Sequence, residues 1–301
     1  MDTTSAGERA PAAIEANGGD AAPGALPNLI VIGAQKCGTS ALHYYLGLHP
    51  EVAMSETKEL NFFIKNRNWE RGVDWYRRQF DPAAPVRGES SPNYTAHPLF
   101  RGVARRMHDV IPDAKLIYIV RDPLERIAAQ WVHNYSHGRT GRSLREVVRP
   151  NRKPYIARSR YYMQLTRFLR RYPLEQILVL DQQDLRDDRA ATLRRVFEFA
   201  GVDPEFTDPR FRQERHQTRR KTRMTALGER LDRRRASSGR RLLPDQAWSV
   251  ASRRWPLARS IDPPDIRAVI PEKALAALRK DTERLSELTG RRFDHWSIWD
   301  R

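Results

Sequence analysis

The chain of 301 residues carries a single cysteine, Cys37. One thiol excludes an internal disulfide and any cysteine-cluster zinc site, and it fits a reducing compartment. No apolar run approaches the roughly 20 residues needed to cross a bilayer. The N-terminus lacks the basic-then-apolar order of a secretory leader, so a cytoplasmic protein is expected. Acidic residues are in the minority: 37 Asp and Glu face 54 Lys and Arg, for a net charge of +17. That balance favours polyanions, anionic lipid surfaces or anionic small ligands. No DNA- or RNA-binding motif is recognisable, so specific nucleic-acid recognition is not expected. Internal repeats are also absent, and 40% hydrophobic with 30% charged residues fits a globular protein.

What is present starts after a tail. Residues 1–27 are rich in Ala, Gly, Pro and Glu without a period, so a disordered tail is expected there and a folded domain over 28–301. The stretch NLIVIGAQKCGTSALHYYLGLHP, residues 28–50, reads as a buried strand, a tight basic loop and a helix. Gly33 is expected to let the chain turn at the strand end. Gly38, Thr39 and Ser40 open the helix, and His49-Pro50 ends it. Open N–H groups and a positive dipole end at such a helix start suit a phosphate, and Lys36 adds a full charge. The nucleotide triphosphatase loop places its lysine after the second glycine. Here Lys36 stands before Gly38, which departs from that pattern.

Residues 115–120 and 177–181 read as two further buried strands. The first runs directly into Arg121-Asp122-Pro123-Leu124-Glu125-Arg126. Arg121, at a strand end before a helix start at Pro123, reads as an anion clamp; the alternative is a structural turn pair of Arg121 with Asp122. The order strand-loop-helix, strand-RDPxxR-helix, strand-helix predicts an α/β three-layer sandwich with a mainly parallel sheet. Ligands then belong at the strand C-terminal ends. Helices are expected over residues 69–80, 101–110, 158–172, 190–200 and 266–288, with Gly201 as a stop signal. Residues 140–154 read as a mobile loop. His133 and His137 are four apart but lack a third ligand, so no metal site is expected.

The loop Gly33–Ser40, the pattern Lys58-Glu59 followed by Phe62-Phe63, and the strand-RDPxxR unit together resemble sulfotransferases that use 3′-phosphoadenosine 5′-phosphosulfate (PAPS). The branch most resembled is that of heparan sulfate sulfotransferases and their bacterial relatives, over residues 28–296. The resemblance implies a P-loop-like nucleotide-binding fold and PAPS as cofactor, without a metal. It also implies sulfuryl transfer to a hydroxyl or amine of a carbohydrate, glycolipid or other small-molecule acceptor. Residue by residue, it implies that Lys36, Cys37, Gly38, Thr39 and Ser40 hold the 5′-phosphate and that Lys36 faces the transferring group. Arg121 would bind the 3′-phosphate, and Arg220 and Lys221 would lie in a loop over the cofactor. Glu59 would be the general base, since the attacking hydroxyl must lose a proton and a partly buried carboxylate can be tuned for that work. The bland alternative for Glu59 is a surface carboxylate paired with Lys58.

Two departures stand out. Ser90 occupies the place of a family lysine, which leaves Lys36 at the sulfuryl group with Arg87 as a candidate substitute. Ala129 stands where a family serine completes the 3′-phosphate site. Glu89 reads equally as a second acidic contact to the acceptor or as the partner of an arginine. A small-molecule kinase would need magnesium and a lysine after Gly38. A basic nucleic-acid or anionic-membrane module would use the arginine run over residues 210–241. A homologue that binds the cofactor without turnover is the third alternative.

Overall fold

The computed structural model describes residues 24–149, 153–213, 222–225, 258–261 and 264–300, with a few positions between 227 and 234. The sheet is built from β1 (Leu29–Gly33), β2 (Val52–Met54), β3 (Val86–Ser90), β4 (Lys115–Val120) and β5 (Ile177–Asp181). Their order is β2-β3-β1-β4-β5, with every neighbouring pair parallel. β1 and β4 are central and covered on both faces, which is why Leu29–Ile32 and Leu116–Val120 are continuous apolar runs at 1% exposure or less. β6 (Thr222–Met224) and β7 (Ala258–Ser260) form a small antiparallel pair.

The helices are α1 (Thr39–Leu46), α2 (Gly72–Arg77), α3 (Val103–Val110), α4 (Pro123–Ser136), α5 (Leu144–Val147), α6 (Lys153–Arg158), α7 (Tyr161–Leu169), α8 (Gln182–Asp187), α9 (Arg189–Ala200) and α10 (Glu272–Thr289). Side chains alternate along a strand, and β4 shows the resulting layers. Tyr118 packs on Tyr161 of α7, whereas Ile119 lies beneath Gly38 at the start of α1. α7 is joined in its layer by α3 and α10. On the opposite face the end of α1 meets α9, where the His49 ring lies 4.8 Å from Phe197. The expected three-layer sandwich is therefore present.

Several element boundaries differ from expectation for local reasons. The helix expected from residue 266 begins at Glu272, because Pro271 holds an extended conformation as its N-cap. The helix expected over 69–80 is a 3-10 turn, Trp69–Arg71, followed by α2, with the change at Gly72 (φ 80°). The expected loop over 140–154 contains α5, whose Ser143 and Glu146 form a reciprocal capping box. Of the tail expected over residues 1–27, residues 1–23 lie outside the described residues, and Leu26 already packs against the core. Among the described residues no helix is long and apolar enough to cross a membrane.

Candidate active site

β1 delivers the basic loop to the C-terminal edge of the sheet. Gly33 is required by close packing rather than by a turn: a Cβ there would collide with Thr95 Oγ1 and come within 2.9 Å of the Tyr118 ring. The loop is tied down where Ala34 N–H donates to Ile119 O at 2.7 Å. Lys36 and Gly38 both adopt left-handed backbone, at φ 72° and 93°. For Gly38 this is free of strain, whereas lysine pays about 1–2 kcal/mol for it. α1 has no side-chain cap, and its first internal bonds run from Ala41 and Leu42 back to Gly38 O. The N–H groups of Thr39 and Ser40 therefore have no helical acceptor and sit at the positive dipole end. Cys37 differs from its neighbours. Its N–H donates to Ala34 O at 3.2 Å inside the turn, and its buried thiol lies 3.6 Å from Tyr161 Oη. Burial pushes that thiol up to about 11, so it stays protonated near neutrality.

The second cation stands at the end of β4. Asp122 accepts the N–H groups of Leu124 and Glu125, and Pro123 takes the first helical position, so the RDP sequence is a compact start for α4. Arg121 does not pair with Asp122. Its Nε and Nη2 donate to Glu125 Oε2 at 2.8 and 2.6 Å. Its charge acts on the Cys37 thiol, which puts it at the same end of the sheet as the loop. Arg126 is wholly buried and donates to Ser159 Oγ, Gln130 Oε1 and Tyr155 O, locking α4 against the segment between α6 and α7. Ala129 is buried on α4 and brings no hydroxyl to this region.

The carboxylate side is built on the segments after β2 and β3. Glu59 adopts φ 64° and is held by its N–H to Ser90 O at 3.0 Å. Asn61, also left-handed, donates its side-chain N–H to Glu59 O at 2.6 Å. The Glu59 carboxylate is 42% exposed and lies 3.1 Å from Lys58 Nζ. Exposure rather than partial burial is thus its resting environment. Glu89 is enclosed in the core. At 0% exposure it accepts from Tyr76 Oη (2.6 Å), Tyr94 Oη (2.7 Å) and Ser91 Oγ (2.7 Å), and burial raises its carboxyl above the usual range. Its hydrogen bonds come from hydroxyls, and none comes from an arginine. Arg87 also fails as a substitute for the missing lysine. It belongs to the start of β3 and donates to Leu26 O and Ala84 O, at the far end from Ser90.

Two residues at this edge escaped the sequence reading. His43 Nδ1 lies 3.0 Å from Ser90 Oγ, and burial together with Lys58 lowers its imidazole to about 4. Arg158 ends α6, is 7% exposed, and donates from Nη1 to Gln35 Oε1 (2.7 Å) and Asn93 Oδ1 (3.1 Å). His43 lies in the last turn of α1, and its partner Ser90 is 47 residues away in sequence, so no local pattern marked it. Arg158 carried no local signal, because Gln35 lies 123 residues away in sequence.

Arg220 and Lys221 lie outside the described residues, as does most of the arginine run over 210–241. At the start of that run, Arg210 is engaged by Asp208 through bonds of 2.9 and 2.6 Å. A described basic concavity of about 570 Å³ opens elsewhere, between α3 and α7, lined by Arg101, Arg105, Arg167, Arg170 and Arg171 among others. Among the described residues no three His, Cys, Asp or Glu side chains converge in a way that could hold a metal.

A sulfotransferase domain model matches residues 26–241. Human bifunctional heparan sulfate N-deacetylase/N-sulfotransferase 2 is 30% identical over 205 residues, covering 60% of this chain and 22% of its own length. Human bifunctional heparan sulfate N-deacetylase/N-sulfotransferase 3 is 32% identical over 203 residues, covering 60% of this chain and 23% of its own length. The chain spans less than a quarter of the length of these curated relatives. The crystal structure of a sulfotransferase from Alicyclobacillus acidocaldarius superposes with a TM-score of 0.64 at 25% identity, covering 90% of this chain and 99% of that one.

Proposed function

The chain belongs to the sulfotransferase domain family, and from that premise we propose that it is a PAPS-dependent sulfotransferase. The acceptor is a hydroxyl, or an amine, on a carbohydrate, glycolipid or other small molecule. What supports this reading is that an uncapped helix start beside Lys36 follows the end of β1, Arg121 follows the end of β4, and the Glu59 backbone is bonded to Ser90 at the end of β3. The residues suit a nucleotide with two separate anionic groups. The open N–H groups of Thr39 and Ser40 suit the 5′-phosphate, with the N–H of Cys37 held back in the turn. Arg121 suits the 3′-phosphate. Its pair with Glu125, which is 51% exposed, is of the surface kind that holds for about 1 kcal/mol or less, so exchange for a phosphate is cheap.

When bound, PAPS supplies a sulfuryl group whose sulfur bonds to the acceptor oxygen as its bond to the 5′-phosphate oxygen breaks, the electron pair passing to that phosphate oxygen. Lys36 neutralises the charge that develops there. Glu59 receives the acceptor proton at its carboxylate. The remaining work is positioning, as in phosphoryl transfer.

Incubation with PAPS and a panel of acceptors, followed by a mass search for the gain of one sulfuryl group, tests the activity. Glu59→Gln is expected to lower turnover by about 10²–10⁴-fold while PAP, the desulfated nucleotide, binds as before. Loss of PAP binding in that variant refutes the role of base. Lys36→Ala is expected to weaken both PAP binding and turnover. PAP binding by the native chain with no sulfated product from any acceptor would instead favour a homologue without turnover.

A further inference from the structure

Arg158 is a buried cation without an anion. It is 7% exposed, and among the described residues no carboxylate comes within ion-pair distance of it. Its Nη1 is satisfied by two neutral amide oxygens, Gln35 Oε1 and Asn93 Oδ1, and its buried Nε has no acceptor. The fully buried Arg126 nearby adds like-charge repulsion, while the Glu59 carboxylate acts at longer range to favour the charge. Desolvation and that repulsion lower its guanidinium to about 10, so it remains charged at neutral pH. An uncompensated buried charge is expensive, and an anion brought to it offsets that cost.

Its place decides which anion. Gln35 adjoins Lys36 in the basic loop, and Asn93 belongs to the segment that follows Ser90 and Ser91, beside Glu59. Arg158 thus lies between the proposed phosphate loop and the proposed base. Lys58 is a poorer candidate for the same task, since Glu59 already neutralises it. We propose that Arg158 is a donor-binding residue whose guanidinium receives the sulfuryl oxygens of PAPS, while Gln35 and Asn93 hold it in orientation. This rests on the reading of the chain as a PAPS-dependent sulfotransferase.

The test compares two nucleotides that differ only in the sulfuryl group. Calorimetric titration of the full chain with PAP and with PAPS is run for the native protein, Arg158→Met and Arg158→Lys. Loss of a charge-assisted contact predicts PAPS affinity lower by about 10- to 100-fold in Arg158→Met, with PAP affinity unchanged within about twofold. Arg158→Lys keeps the charge and is expected to lie between native and Met; it also serves if the Met variant fails to fold. Equal weakening toward both nucleotides would make Arg158 a support for the loop and overturn the inference, as would unchanged PAPS affinity. A native chain that binds neither nucleotide would instead overturn the proposed function.

Discussion

Asp281 offers a quantitative check on how the helical layer that carries α7 is held. It lies on α10 at 3% exposure, and its carboxylate accepts the N–H of Tyr162 at 2.9 Å and of Met163 at 3.1 Å. These belong to the first turn of α7, which has no side-chain cap of its own. A residue from another helix therefore caps α7, the element that follows Arg158 and Ser159. Burial raises the Asp281 carboxyl from 3.8 to about 6. A raised folded-state value means stability fully present below about pH 4 and lost as pH rises through about 6. At 1.36 kcal/mol per pKa unit, the loss amounts to about 3 kcal/mol by pH 7. Native stability alone will not display this, because His43 titrates in the opposite sense. Its value, lowered to about 4, makes its contribution present above 6.5 and lost as pH falls. The difference between native protein and Asp281→Asn isolates the aspartate. Asparagine can accept one of the two N–H groups and leaves the other unmatched, a constant penalty of about 1 kcal/mol. In urea unfolding from pH 4 to 7.5, the native chain is expected to be more stable by about 1 kcal/mol at pH 4. The order then reverses, with the variant ahead by about 2 kcal/mol at pH 7. A difference independent of pH, or one in which the native chain gains as pH rises, refutes the reasoning.

Two further substitutions probe the proposed 3′-phosphate position and the core. Ala129→Ser restores a hydroxyl near the proposed 3′-phosphate position, and one added hydrogen bond of about 1 kcal/mol should tighten PAP binding roughly fivefold in calorimetry. Unchanged affinity would mean that the hydroxyl turns to the helix backbone and has no place in the phosphate site. Glu89→Ala strands the hydroxyls of Tyr76, Tyr94 and Ser91 in the core. A destabilisation of about 3–5 kcal/mol in urea is expected from those unmatched groups and the cavity, and a loss below about 1 kcal/mol would show that the network contributes little.

The sequence was most readable where one kind of residue dominates a whole element. β1, β4 and β5 stand out as apolar runs, and the loops that leave β1 and β4 inherit their positions from those strands. β3 was illegible because Arg87 and Glu89 make it look like surface. Both charges are satisfied by tertiary partners, Arg87 by carbonyls of Leu26 and Ala84, and Glu89 by hydroxyls from α2 and the segment after β3. The same distinction governs the site. Lys36 and Arg121 announce themselves through the strand-to-helix junctions they occupy. Arg158 has no such context, and only the folded chain brings it to Gln35. The signals missed on α5 and α10 were local ones: Ser143 with Glu146 is a helix start, and Pro271 is a boundary.

The cations at the sheet edge are held in two different ways. Arg121 is held by Glu125, and Lys58 by Glu59, in pairs whose acids are 51% and 42% exposed. Pairs of that kind are weak and salt-sensitive, so they orient the side chains at little cost to later exchange. Arg158 is handled differently: it is buried, and its hydrogen bonds go to neutral amide oxygens rather than to a carboxylate. A ligand that displaces the exposed pairs gains little from each exchange. One that brings negative charge to Arg158 removes a standing desolvation penalty. If the proposed function and the role proposed for Arg158 hold, affinity for the two phosphates should fall with added salt, while discrimination between PAPS and PAP should persist.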